Sequence, residues 1–396
     1  MNFDRRTFLF GLAASALATE RSRSMLMVNA AGLQRMRDQL TKQKPELLDV
    51  LVKKALSAGP WSVTYHRPSG IATGAGPHDY FSEGPYWWPD PKNPNGPYIR
   101  RDGERNPSRF LANHADLSAM CDAVLSLGVG AAVLNRSECV EHAGEVLSVW
   151  FVNPETRMNP NVEFGQAIRG ITPGRSTGII DTVALIHAAQ GIVLLEQAGG
   201  LQPGLARNVR RWFSDYLSWL TTIEKGREES TSGNNHATWW TAQVAGYACF
   251  TGNAKALAAA WKHYREYLVP TEFRPDGSCP REEERTQSLS YSSMNLDAFA
   301  TICWLAQMNG VDLWHFETTQ GQSVVKSLRY LTPYVLNPKL WKKQQISPYH
   351  ANSYFFTGLA GAALHDKQLL SAYEQVPRSP TPWVQWVDLV VKQAIA

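Results

Sequence analysis

The chain has 396 residues, with 39 Lys and Arg against 35 Asp and Glu, so its formal charge of +4 is too mild for a nucleic-acid-binding surface. Hydrophobic residues make up 44%, charged residues 19%, and there are 14 Trp, which excludes a disordered chain and implies a sizeable core. Cys121, Cys139, Cys249, Cys279 and Cys303 are odd in number, widely spaced and without a CxxC pair, which argues against a disulfide scaffold or a zinc site and for buried thiols.

The N-terminus reads "MNFDRRTFLFGLAASALATE": Arg5 and Arg6, a short apolar run from Phe8 to Ala18, and small residues at its end. That order is that of a twin-arginine export signal, so residues 1–20 are expected to be a leader and 21–396 a single domain delivered to the periplasm or beyond. No later stretch is expected to span a membrane.

The remainder alternates helical periodicity with Gly, Pro and Asn punctuation. Helices are expected over 30–57, 109–128, 137–151, 179–198, 204–223, 235–250, 254–268, 290–308, 320–332 and 382–395. In "DTVALIHAAQGIVLLEQAGG", Asp181 can cap and Gly199-Gly200 can close the helix. Short connections imply helical hairpins. Ten or more such helices stack as a solenoid or curl into a toroid, and the lack of a fixed repeat favours the toroid. The expected class is all-α, an (α/α) toroid or incomplete barrel.

Residues 60–108 break the pattern. Prolines 85, 89, 91, 94, 97 and 107 forbid a long helix, yet Tyr80, Phe81, Tyr86, Trp87, Trp88 and Tyr98 are too apolar for a solvated linker. A long segment of this kind inside a domain is usually functional. It reads as a stiffened lid whose Trp87, Trp88 and Tyr98 face a cleft, with Arg100 and Arg101 supplying charge and Tyr86 a further expected sugar contact.

Two further clusters carry chemistry. "SGNNHATWW" sets Asn235 and His236 at the start of a helix, where the plain reading is a cap and a structural histidine. "REEERTQSLSY" brings Arg285 and Tyr291, which a salt-bridged loop would explain equally well. Together the four are the types needed to remove the weakly acidic C5 proton of a uronate. Asn235 and Arg285 can neutralise the carboxylate, His236 or Tyr291 can take the proton, and Tyr291 can protonate the departing O4. Arg285 beside Tyr291 is expected to lower the phenol pKa. Such β-elimination calls for no metal and no cofactor.

The chain resembles the alginate-lyase-domain family of polysaccharide lyases, and is most similar to the branch that includes glucuronan lyases. The likeness runs through "YWWPDPKNPNGPYIRRDGERNP" (86–107), "WFVNPETRMNPNVEFGQAIRG" (150–170), "GRSTGIIDT" (174–182), "NNHATWW" (234–240) and "ERTQSLSYSSMNLDA" (284–298). It implies an (α/α) toroid and a catalytic set falling on Asn235, His236, Arg285 and Tyr291. Gln166 matches a polar position of the second block, as a substrate contact or a structural hydrogen-bonding group. Ala237 and Trp240 stand where the family has Gly and Tyr, which bears on the subsite expected around Trp239 and Trp240. The implied partner is an acidic polysaccharide, a β-1,4-linked polymannuronate or glucuronan ahead of guluronate-rich alginate. A glycoside hydrolase would need two opposed carboxyl groups, and the run Glu282-Glu283-Glu284 reads instead as a solvated face. A non-catalytic glycan-binding protein would not need His236 with Tyr291.

Overall fold

The computed structural model describes residues 26–42, 46–67 and 74–396; the leader expected over 1–20 lies outside them. Along the chain come α1 (Ala30–Lys42), α2 (Glu46–Leu56), α3 (Ala112–Ala132), α4 (Glu138–Leu147), α5 (Leu185–Gln197), α6 (Pro203–Thr222), α7 (Glu224–Ser230) and α8 (Asn235–Thr251). There follow α9 (Ala254–His263), α10 (Val269–Glu272), α11 (Pro280–Glu283), α12 (Ser288–Met308), α13 (Val324–Leu336), α14 (Phe356–Leu364), α15 (Lys367–Gln375) and α16 (Pro382–Ile395). Local chemistry sets several boundaries. Asn234 caps α8, Gly252 ends it in the left-handed region at φ 72°, and Asn253 caps α9. Pro203 and Pro382 open α6 and α16.

The helices fall into two kinds. α3, α5, α8, α12 and α14 are apolar or small on every side, and most of their residues are buried. A helix with no polar face must be surrounded. They form a ring in which α3 packs on α5, α5 on α8, α8 on α12, α12 on α14, α14 on α16, and α16 back on α3. The second kind is amphipathic and sheathes the ring: α2 and α4 lie against α3, α6 and α9 against α8, α13 against α12, α15 against α14, and α1 against α16. This is an (α/α) toroid, with one hydrophobic core running from Leu26 to Val391.

Three expectations change. The single helix over 30–57 is two, α1 and α2, with Pro45 in the sequence between them. The second concerns Ala112–Ala132 and Ser176–Gln197, which are long and apolar enough to cross a membrane. In each, 72% of the apolar window is buried inside the fold, because these are ring helices. The third is the cluster Glu282-Glu283, which is not a solvated face: the two are 1% and 6% exposed. All five cysteines are buried and free.

The proline- and aromatic-rich segment contains two small sheets. β1 (Phe81–Glu83) pairs in parallel with β4 (Phe164–Ala167), and β2 (Trp87–Trp88) pairs with β3 (Ile99–Arg100) in an antiparallel ladder. Tyr80 and Phe81 are fully buried and anchor it. Its far end is tied to the start of α12, where Gln287 Nε2 donates to the Gly103 carbonyl at 2.7 Å and Thr286 Oγ1 to that of Asp102 at 3.0 Å.

The closest approach within the ring is between α3 and α5. A Cβ on Gly128 would come 2.5 Å from the Gly191 carbonyl oxygen, so backbone meets backbone and neither can retreat. Gly128→Val is expected to destabilise the fold by about 3 kcal/mol or more through overpacking. Gly204 on α6, with nothing within 4 Å, should accept alanine without loss. Urea midpoints of the two variants check this.

Candidate active site

Ring helices α3, α5, α8 and α12 all begin at the same end of the molecule, and a cleft of about 520 Å³ opens there. His114 from the first turn of α3, Asp181 from just before α5, Asn235 and His236 from the start of α8, and Tyr291 from the first turn of α12 line it. Tyr86, Trp87 and Arg100 from the β2–β3 ladder form a further wall. Helix N-termini carry partial positive charge, so this end of the ring favours an anion. Arg100, Arg105, Arg109, Arg175 and Arg285 also line the cleft. Of these, Arg105, Arg109 and Arg175 form no ion pair among the described residues.

Each of the four residues singled out in the sequence is held from behind. Asn235 is fully buried, and both its backbone N–H and its Nδ2 donate to Glu282 Oε1, at 2.5 and 2.7 Å. Asn235 Oδ1 and Glu282 Oε2 are buried without partners, an arrangement that costs about 1–3 kcal/mol per group. Asn234 Oδ1 accepts from the His236 backbone N–H at 3.0 Å, so Asn234 is the cap. His236 Nδ1 lies 2.6 Å from Glu229 Oε1, and Glu229 is 1% exposed. That contact fixes the tautomer with the proton on Nδ1 and leaves Nε2 for the cleft. Burial alone would lower the His236 pKa, but the charge and hydrogen bond of Glu229 outweigh it, and the value is raised.

Arg285 forks onto Asp102, with Nη2 2.8 Å from Oδ1 and Nε 3.1 Å from Oδ2. Burial works against the Asp102 carboxylate, yet Arg285 and Thr286 hold its pKa well below the usual range. Asp102 also accepts from Arg100 at 2.7 Å, so one carboxylate positions two cleft arginines. The Arg285 guanidinium stacks 3.9 Å from the centre of the Tyr291 ring. Tyr291 donates to the Tyr86 hydroxyl at 2.5 Å. The expected depression of the Tyr291 pKa does not occur. Burial is the largest influence and raises it, Tyr86 adds to the rise, and Arg285 offsets only part.

The expected sugar contacts divide. Tyr86, Trp87, Arg100 and Gln166 line the cleft. Gln166 sits at φ 49°, with Nε2 donating to Asp181 at 2.8 Å and Oε1 accepting from Arg175 at 2.7 Å, so both ends of its amide are engaged within the protein. Trp88 and Arg101 are outside the lining: Arg101 stacks 4.9 Å from the Trp88 ring, and Trp88 Nε1 donates to the Glu104 carbonyl. Trp239 and Trp240 are not at the cleft either. One helical turn beyond Asn235, Trp239 enters the core at 8% exposure, and Trp240 packs edge-on to His263 while donating to the Leu220 carbonyl. Glu229, Glu282 and Asp102 are not marked by the sequence motifs: Glu282 and Asp102 act across the fold, and Glu229, seven residues before His236, shows no spacing that singles it out.

The alginate lyase profile matches residues 66–341. An alginate lyase from Bacteroides ovatus superposes with a TM-score of 0.85 at 27% identity, over 94% of this chain and 99% of that one. Alginate lyase A1-III complexed with a tetrasaccharide gives 0.61 at 14% identity, over 91% and 95% of the two chains. The A1-III enzyme from Sphingomonas species A1 gives 0.53 at 14%, over 84% and 91%. No curated protein sequence matches. Fold and cleft together are those of a polysaccharide lyase. The chain belongs to the alginate lyase family.

Glu229→Gln removes the charge that opposes burial at His236, so the His236 pKa should fall below the ordinary histidine value. Imidazole NMR of the full chain across pH measures this directly. An unmoved titration would show that Glu229 does not set the protonation of His236.

Proposed function

We propose that the protein cleaves a β-1,4-linked polyuronate, polymannuronate in alginate or glucuronan, by β-elimination across C4 and C5. The observation that carries this reading is the convergence of Asn235, His236, Arg285 and Tyr291 on one arginine-lined cleft. The uronate carboxylate meets Asn235 and the free edge of Arg285, and its neutralisation makes the C5 hydrogen removable. Mannuronate and glucuronate place that hydrogen and O4 on the same side of the ring. Tyr291 is suited to serve both, taking the proton from C5 and returning it to the departing oxygen. His236 Nε2, backed by Glu229, is the base suited to the opposite arrangement in guluronate. The raised pKa keeps the Tyr291 phenol protonated and able to serve as the acid toward O4; to take the C5 proton it must first release its own O–H proton to solvent, leaving its bond to Tyr86 and becoming the phenolate.

The acidic groups of the cleft support elimination over hydrolysis. Hydrolysis requires two carboxyl groups free to face the scissile bond. Asp181 is engaged by Tyr80, Ser82 and Gln166, and Glu83 by Arg169 and the Phe110 N–H. Arg105 and Arg109, close enough for Arg105 and burial together to lower the Arg109 pKa, form a subsite for a second uronate.

Incubation with polymannuronate and with glucuronan should generate an ultraviolet-absorbing unsaturated end, and turnover should survive chelation. New reducing ends without that absorbance would mean hydrolysis instead. Tyr291→Phe is expected to lower kcat by about 10²–10⁴-fold while the oligosaccharide still binds. Arg109→Ala should act mainly on KM, raising it about tenfold for loss of a charge-assisted contact. Near-parental turnover by the Tyr291 variant would remove the phenol from the mechanism.

A further inference from the structure

Asn235 faces a conflict, given the reading above in which its amide binds the uronate carboxylate. A carboxylate only accepts hydrogen bonds. With Glu282 Oε1 taking both the backbone N–H and Nδ2 of Asn235, the amide is turned so that its donor points inward. The group left over is Oδ1, an acceptor, buried and unpartnered on a residue that lines the cleft. An incoming carboxylate would meet a lone pair. The second oxygen of Glu282 is buried and unpartnered as well. A single proton resolves both vacancies at once.

We propose that Glu282 is a positioning residue that takes up a proton when the uronate binds: its neutral carboxyl donates to Asn235 Oδ1, the amide turns over, and Nδ2 is released to donate to the substrate carboxylate. The Asn235 backbone N–H keeps its bond to Oε1 throughout. The proton comes from solvent, and the net change is one carboxylate converted to a carboxylic acid.

The surroundings are suited to this. Glu282 is 1% exposed, and no cation forms an ion pair with it among the described residues. Burial raises its proton affinity. The charged groups that face it are His236 on α8 and Arg285 just past α11, which favour the carboxylate, and Glu272 on α10, which opposes it. Cys279 is the remaining titratable neighbour. Glu272 illustrates the local environment: burial pushes its pKa up to about 8 even though Asn295 and Thr238 donate to it. A uronate arriving at Asn235 adds a further negative charge within this dry region and draws the proton in.

Two variants of the full chain separate the roles. Glu282→Gln is permanently neutral and can donate from its amide to Asn235 Oδ1, so it should keep most of the parental kcat and extend activity to higher pH. Glu282→Ala leaves Asn235 unheld and should lower kcat by about 10²-fold, as for loss of an oriented donor. Calorimetric titration of an oligouronate into the Tyr291→Phe chain, in buffers of differing ionisation enthalpy, should show uptake of about one proton. That uptake should vanish when Glu282→Gln is added, whereas a proton taken by His236 would persist. A glutamine variant as impaired as the alanine variant, or binding without proton uptake, overturns the proposal. Asn235→Ala with parental kcat would instead remove Asn235 from the elimination mechanism, and this proposal with it.

Discussion

Helices α3, α5, α8, α12 and α14 have no face that tolerates water, and the architecture follows from that constraint. Such helices are stable only when surrounded, and the ring gives each two helical neighbours, closing through α16, with amphipathic helices packed against α3, α8, α12 and α14 from outside. The ring also fixes where chemistry can occur. Four of its helices begin at one end, so their first turns assemble around a shared cleft. There the helix dipoles and the arginines of the cleft place positive charge, although the first-turn N–H groups of α8 and α12 are already taken by protein acceptors.

Buried carboxylates stand behind the reactive side chains and determine how they point. Glu229 sets the tautomer of His236, Asp102 fixes the plane of Arg285, and Glu282 decides which end of the Asn235 amide faces inward. The Glu229 pairing joins the consecutive helices α7 and α8, whereas those of Glu282 and Asp102 cross between elements distant in sequence, so the geometry of Asn235 and Arg285 depends on closure of the fold. The same burial that makes these contacts strong also perturbs titration. It raises the Tyr291 phenol despite the cation stacked on its ring, because the guanidinium lies over the face and the hydroxyl is engaged by Tyr86.

Charge in the cleft is balanced unevenly. Arg100 and Arg285 share Asp102, whereas Arg105, Arg109 and Arg175 lack an ionic partner among the described residues. Unpaired guanidinium groups in a confined space repel one another, and the fold keeps them there at some cost in stability. That surplus of positive charge suits the cleft to an anionic ligand.

The sequence alone determined the helical class, most helix positions and the four residues that meet at the cleft. These are local properties: apolar periodicity, caps such as Asn234, and motif blocks short enough to read in one stretch. It also marked the aromatic segment as part of the cleft through Tyr86, Trp87 and Arg100. The tertiary structure decided the matters that depend on what faces what. Trp239 and Trp240 read as sugar contacts beside Asn235 and His236, but one turn of helix carries them into the packing between helices. Glu282 read as surface because acidic runs usually are, yet the short helix α11 tucks it under the start of α8. The orientation of a residue on a helix follows from 3.6-residue periodicity, but whether that direction meets solvent, core or a partner is set only when distant segments close upon it.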